Sequence, residues 1–182
     1  MNEKIIKTSR EIEDAISAYK CLDDLTSLGI LLNYSANANE SLANKSVSIR
    51  TSDSYSVKDA VCGFVGAGNY ASRILIPAFK AAGAKLDTIV TSGGVSAVHH
   101  GKKNDFVNAS TDLAQLLDKK TVNTIVIATQ HNLHADQVVQ AINSGKNVFV
   151  EKPLALTHDE LDAIKSAYDE QEGRCRLMVG YN

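Results

Sequence analysis

Two stretches of this sequence pair residue types and spacing in ways that suit chemistry. The first is VCGFVGAGNYA, residues 61–71. Within it Gly66-Ala67-Gly68-Asn69-Tyr70-Ala71 fits the pattern GxGxxA. Gly66 would permit a tight turn, Gly68 would let a pyrophosphate approach bare backbone, and Ala71 would let a helix pack closely on a strand. The helix that opens here would add unpaired amides and a favourable dipole for phosphate. The same glycines also suit a ligand-free strand-to-helix turn, so their surroundings must decide. The second stretch is TQHNLHADQVVQAINSGKNVFVEKPLALT, residues 129–157. Lys152 follows a short apolar strand there, and a lysine at the carboxyl edge of a parallel sheet faces the ligand crevice. His131 and His134 stand three residues apart, a spacing open to a metal ion. With no third ligand nearby in sequence, helix capping or cofactor contact fits them better.

The elements that would position these residues follow from periodicity. Val61–Val65 reads as a strand, and Tyr70–Ala82 as a helix carrying Ala71, Ile74, Leu75 and Ala78 on one face. Pro77 lies inside that helix and predicts a kink. Further strands are expected at Lys85–Thr91, Phe106-Val107, Thr124–Thr129, Asn147–Val150 and Arg176–Gly180. Helices fall between them, at Ala97 to about Lys103, Thr111–Lys119, Ala135 to a Gly145 C-cap, and from the capping box Thr157-His158-Asp159-Glu160 to about Glu172. Strands alternating with helices imply a parallel sheet covered on both faces. The fold class is therefore α/β, a Rossmann-type doubly wound sheet of about six strands over residues 60–182. Ahead of it, residues 36–59 are rich in Ser, Asn and Ala and read as a linker, within which Val47-Ser48-Ile49 suits a brief strand. Residues 1–35 read as a helix and strand: Thr8-Ser9-Arg10-Glu11 matches a capping box, Ile12, Ala15, Ile16 and Tyr19 follow at helical spacing, and Gly29-Ile30-Leu31-Leu32 suits a strand.

Bulk composition narrows the function classes. The 182 residues are 44% hydrophobic and 22% charged, with a formal net charge of −2. No basic stripe marks a nucleic-acid partner, and the pairs Lys102-Lys103 and Lys119-Lys120 read as solvated surface. No apolar run approaches the roughly 20 residues that cross a bilayer. Cys21, Cys62 and Cys175 are far apart and odd in number, matching neither a metal motif nor a disulfide framework. A reduced, cytoplasmic protein is expected, with Cys62 buried in its strand and His99-His100 on an exposed helix face.

Taken together, Gly66–Ala71, Thr129 with His134, Gly145-Lys146-Asn147-Val148 and Glu151-Lys152-Pro153 resemble the Gfo/Idh/MocA family of glucose–fructose oxidoreductases and inositol dehydrogenases. Their order and spacing agree with the family over about residues 60–182, and Gly180-Tyr181-Asn182 resembles its exit strand. The resemblance implies NAD(P)-dependent hydride transfer at a hydroxyl or carbonyl carbon of a sugar, cyclitol or related molecule. It places Lys152 beside the nicotinamide and the reacting oxygen, as the catalytic charge that stabilises a developing alkoxide. It makes the Lys152-Pro153 bond cis, and it lines the cofactor cleft with Gly66, Gly68, Asn69, Tyr70, Ala71, Thr91, Ser92, Thr129, His131, His134, Glu151, Lys152 and Pro153. Glu151 also suits a structural pairing near the turn. One departure is Gln130-His131, where the family more often has Pro-Asn.

The acid expected to grip the adenosine ribose about 20 residues after the glycines is absent, and Thr91-Ser92-Gly93-Gly94 stands there. Nothing then repels a 2′-phosphate and no arginine holds one, so NAD and NADP both remain open. The family's second α/β domain, which carries the acid–base residue and the substrate and oligomer contacts, is not in this sequence. Residues 1–35 resemble the end of a zinc-type medium-chain alcohol dehydrogenase domain. The chain is therefore expected to be the middle of a fused two-dehydrogenase protein, inactive alone, with a homo-oligomer as one option. The alternative is a stand-alone dinucleotide-binding or redox-sensing module. A methyltransferase-like nucleoside binder also uses a glycine loop, but the Glu-Lys-Pro segment argues against it.

Overall fold

In the computed structural model the chain divides into two units, Met1–Asn44 and Lys45–Asn182. The structure describes residues 8–11, 14–20, 30–33, 44–51 and 54–181. In the first unit β1 (Thr8–Glu11) pairs parallel with β2 (Ile30–Asn33), with Thr8 opposite Ile30, and α1 (Ala15–Tyr19) lies between them in sequence. The capping box expected at Thr8 is thus a strand. All four of its residues enter the ladder, and Glu11 Oε1 accepts from Asn33 Nδ2 at 3.5 Å instead of turning back to a helix start; strand pairing overrides a weak local signal. Nor does the apolar stripe of α1 form a core. Ala18 is buried, while Ile16 and Tyr19 are 81% and 69% exposed. Ile12 and Gly29 lie outside the described residues.

The second unit is built on β4 (Val61–Val65), which is buried at every position. Around it run β5 (Lys85–Val90), β6 (Asn108–Ser110), β7 (Thr124–Ile127), β8 (Asn147–Val150) and β9 (Leu177–Val179), all parallel, in the order β6-β5-β4-β7-β8-β9. A seventh strand, β3 (Ser46–Ser48), pairs antiparallel on the outer edge of β6. Ser46–Ser48 thus belong to the sheet, one residue earlier than the brief strand expected at Val47-Ser48-Ile49 within the linker. Side chains alternate between two faces, as a sheet covered on both sides requires. Val61, Val65, Ile125, Ile127, Val148 and Val150 meet α4 (Leu113–Leu117), α5 (His134–Asn143) and α6 (His158–Glu170). On the other face Cys62, Phe64, Ile89 and Val126 meet α2 (Ile76–Ala81) and α3 (Gly94–Asn104). Phe64 anchors that face, with its ring edge-on to Phe79 and Phe106 at centroid distances of 5.5 and 5.6 Å.

Local chemistry accounts for the remaining boundaries. The kink expected at Pro77 is replaced by a π-helical turn at Ala71–Leu75, after which α2 begins and places Pro77 in its first turn. The helix runs on through the π turn, with Leu75 itself in helical dihedrals, so the proline's missing N–H is accommodated where the i→i−4 ladder is already interrupted. Phe106 and Val107 are buried but precede β6, because it is Asn108–Ser110 that pairs with Thr88–Val90. α4 starts later than expected because Asp112 caps it, accepting from the Ala114 and Gln115 amides. The Thr157–Glu160 capping box is present on α6, and Gly145 follows α5 at φ +69°. Lys119 is not free surface: its Nζ lies 2.5 Å from the buried Asp87 carboxylate. His100 is half-buried, with an Nδ1 that has no hydrogen-bond partner; burial, followed by His99 and Lys103, lowers its pKa. Among the described residues no helix is long and apolar enough to cross a membrane.

Candidate functional site

The sheet order reverses around β4, so the loops leaving β4 and β7 lead to helices on opposite faces of the sheet at the carboxyl edge, where doubly wound sheets open a crevice. Gly66 begins the first loop at φ +96°, a conformation that only glycine adopts freely. Its amide donates to Val90 O at 2.8 Å. A Cβ on Gly66 would stand 2.4 Å from Ala128 O, so the two loops touch through bare backbone. At Gly68 a Cβ would meet nothing within 4 Å, and that side faces open space. Ala71 is buried, as close helix packing requires, while Asn69 and Tyr70 are exposed at the mouth of the crevice.

The crevice has two connected parts that share Gly68, Ala128 and Thr129. The larger, about 670 Å³, is lined by Gly66, Gly68, Thr91, Ser92, Ser96 and Thr111 among others. No side chain lining it is acidic. Thr91 Oγ1 donates to Gly93 O at 2.7 Å, whereas Ser92 is exposed. The smaller part, about 320 Å³, is lined by Asn69, Tyr70, His131, His134, Glu151 and Lys152 together with Ala71 and the shared residues. Every sequence-predicted residue except Pro153 lines one part or the other.

Each side chain at the second part has its own support. Lys152 is exposed, and the Lys152-Pro153 bond is cis, as the family resemblance implied. Glu151 is half-buried; its amide donates to Ile127 O, and its Oε1 would stand 2.8 Å from a Cβ on Gly180. That carboxylate therefore packs against the start of the exit segment. Thr129 Oγ1 donates to Gln137 Oε1 at 2.7 Å. His134 is fully buried, with Nδ1 2.8 Å from Pro153 O and Nε2 3.3 Å from Thr129 O. The His131 ring sits edge-on to it at 5.7 Å. Among the described residues no three potential metal ligands cluster.

Sequence reasoning missed Ser96, Thr111, Gln130, Leu133 and Gln137 as lining residues. Gln137 was within reach, since it stands one turn after His134 on the same helix face. Thr111 had no local signal, because only the pairing of β5 with β6 brings it beside Thr91, whose amide donates to Ser110 O.

This geometry fits a dinucleotide. A glycine-only turn, an open backbone face at a helix start and two joined cavities within the usual ligand-site range of roughly 300–1,000 Å³ each all lie at the switch point. Among curated relatives, the chain is 28% identical over 98 residues to 1,5-anhydro-D-fructose reductase of Ensifer adhaerens, covering 54% of this chain and 29% of that protein. Among solved structures, levoglucosan dehydrogenase in complex with NADH and levoglucosan aligns with TM-score 0.59 and 25% identity, over 67% of this chain and 35% of the other. A 3-ketoreductase from Actinomadura kijaniata, in complex with TDP-benzene and NADP, has the same fold at TM-score 0.61 and 21% identity, over 66% of this chain and 38% of the other. The chain spans about a third of the length of these proteins. Residues 60–181 match the oxidoreductase family with an NAD-binding Rossmann fold, and the chain belongs to that Gfo/Idh/MocA family.

Proposed function

We propose that this chain is the nucleotide-binding part of an NAD(P)-dependent oxidoreductase acting on a sugar-like hydroxyl or carbonyl compound. One observation carries the reading: the Gly66 loop and the Lys152 turn face a single crevice joined at Gly68, Ala128 and Thr129. The nicotinamide, when bound, supplies or accepts the hydride. The residues of this chain bind and orient. The backbone of Gly66–Ala71 holds the phosphates, with Asn69 and Tyr70 at the mouth. Thr91 and Ser92 contact the adenosine ribose. With no acid lining that part, nothing repels a 2′-phosphate, and the site accepts NADP as readily as NAD. Thr129, His131, Glu151 and Pro153 shape the reacting end, where the Lys152 ammonium stabilises negative charge developing on the substrate oxygen. Two buried free thiols, Cys62 and Cys175, suit a reduced, cytoplasmic setting. The acid–base residue, the bulk of the substrate pocket and any homo-oligomer contact belong to the family's second domain.

Titration with NADH, NADPH and S-adenosylmethionine, followed by fluorescence and calorimetry, tests the reading. Binding of either dinucleotide, reduced at least tenfold by Gly66→Ala, is expected. Binding of S-adenosylmethionine alone would refute it. Binding without turnover in a longer protein that carries a second α/β domain would favour a redox-sensing module instead.

A further inference from the structure

His134 opens α5 directly beneath the reacting end of the crevice, and its ring is completely buried. Its two nitrogens face two backbone carbonyls on different loops: Pro153 O at 2.8 Å and Thr129 O at 3.3 Å. Both carbonyls can only accept, and a neutral imidazole has one N–H to give. Of the two contacts only the one to Pro153 O falls within the usual N–H···O range of roughly 2.7–3.2 Å; Lys152 and Glu151 line the same small cavity as the ring. The shorter contact therefore takes the proton, and Nδ1–H donates to Pro153 O.

That bond ties the first turn of α5 to the residue following Lys152. One turn along α5, Gln137 accepts from Thr129 Oγ1, so one helix end holds both loops that flank the cavity. We propose that His134 is a positioning residue for Lys152: as a neutral Nδ1–H imidazole it fixes the turn from which the Lys152 ammonium enters the crevice. The proposal rests on the reading of Lys152 as the charge at the reacting end. It also gives His134 a role that is independent of contact with the cofactor.

Asn and Gln separate this role from general packing. The amide nitrogen of Asn can take the place of Nδ1, whereas that of Gln takes the place of Nε2. The experiment compares wild-type protein with His134→Asn, His134→Gln and His134→Ala after reductive ¹³C-methylation of the lysines, with Lys152→Ala assigning the Lys152 signal. In wild type, ¹⁵N shifts of the ring are expected to show Nδ1 protonated and Nε2 bare. The Lys152 line should stay in place in His134→Asn and be displaced and broadened in His134→Gln and His134→Ala. An undisplaced Lys152 line in His134→Gln, equal displacement in the Asn and Gln variants, or a ring protonated at Nε2 or at both nitrogens overturns the proposal. If the alanine variant does not fold, the Asn–Gln pair still decides. Failure of the wild type to bind NADH or NADPH removes the cofactor reading, and the Lys152 line still reports on His134.

Discussion

At the amino edge of the sheet, polar side chains are turned on one another. Lys146 Nζ donates to Lys119 O and Val122 O at 2.7 and 2.8 Å, and Asp87 accepts from Lys119, Thr88 and Tyr55. Asn123 accepts from the Val61 amide and donates to Asp59 O. A cavity of about 920 Å³ lies there, larger than either part of the crevice. At the carboxyl edge the cavities are smaller, and the groups facing them include the bare backbone of Gly66 and Gly68, the exposed Ser92, His131 and Lys152, and the half-buried Glu151. The larger cavity is therefore not the one at the switch point. The amino edge turns its polar groups on one another, and the carboxyl edge keeps some, Ser92 and Lys152 among them, exposed to the crevice.

That contrast can be broken by mutation, and the largest effect should come from the amino edge. Asp87→Ala removes a buried carboxylate that accepts from Lys119, Thr88 and Tyr55. Because the lysine left behind is 34% exposed, losing this shared acceptor costs about 3 kcal/mol. Denaturant melts should show this loss with dinucleotide affinity unchanged; weakened affinity without lost stability would merge the two edges. Gly66→Ala should lower stability and dinucleotide binding together. A Cβ there meets Ala128 O at 2.4 Å on a left-handed backbone, a strain of about 1–3 kcal/mol. Read by dinucleotide titration, affinity should fall by roughly ten- to a hundredfold.

Smaller effects sharpen the comparison. Thr157→Ala breaks a reciprocal cap on α6, at a residue that does not line either part of the crevice. It should cost about 1 kcal/mol of stability and leave dinucleotide binding intact, as calorimetry would show. The smallest effect is expected at Cys62, where burial pushes the thiol up to about 12. Because the thiolate is the reactive form, iodoacetamide at pH 8 should leave Cys62 unlabelled in the folded protein and label it once unfolded. Rapid labelling of the native protein would mean that the β4 face opens readily.

Legibility followed the range of the interaction. The turn at Gly66, the cap at Thr157 and the stripe of α5 depend on residues within one turn of each other, and the sequence revealed them. The strand at Thr8–Glu11 did not show, because its partner lies 22 residues on at β2. Nor did the pairing of β3 with β6 reveal itself, for Ser46 and Ser110 are far apart in the chain. The same holds within the site. Lys152 and the glycine loop could be named from motif, but the burial of His134 between two carbonyls needed three loops in place.

What the sequence alone determined is the α/β alternation, the glycine turn, the family and the residue types at the crevice, because each is written in local spacing. Tertiary structure decided which polar groups are satisfied by the protein and which are left for a ligand. In sequence Lys119 reads as solvated surface and Lys152 as a lysine facing the crevice. One meets a buried carboxylate brought by β5, and the other faces open space beyond the carboxyl ends of β4 and β7. A side chain's partners are set by strand order, and strand order arises from contacts between residues that sequence proximity does not join.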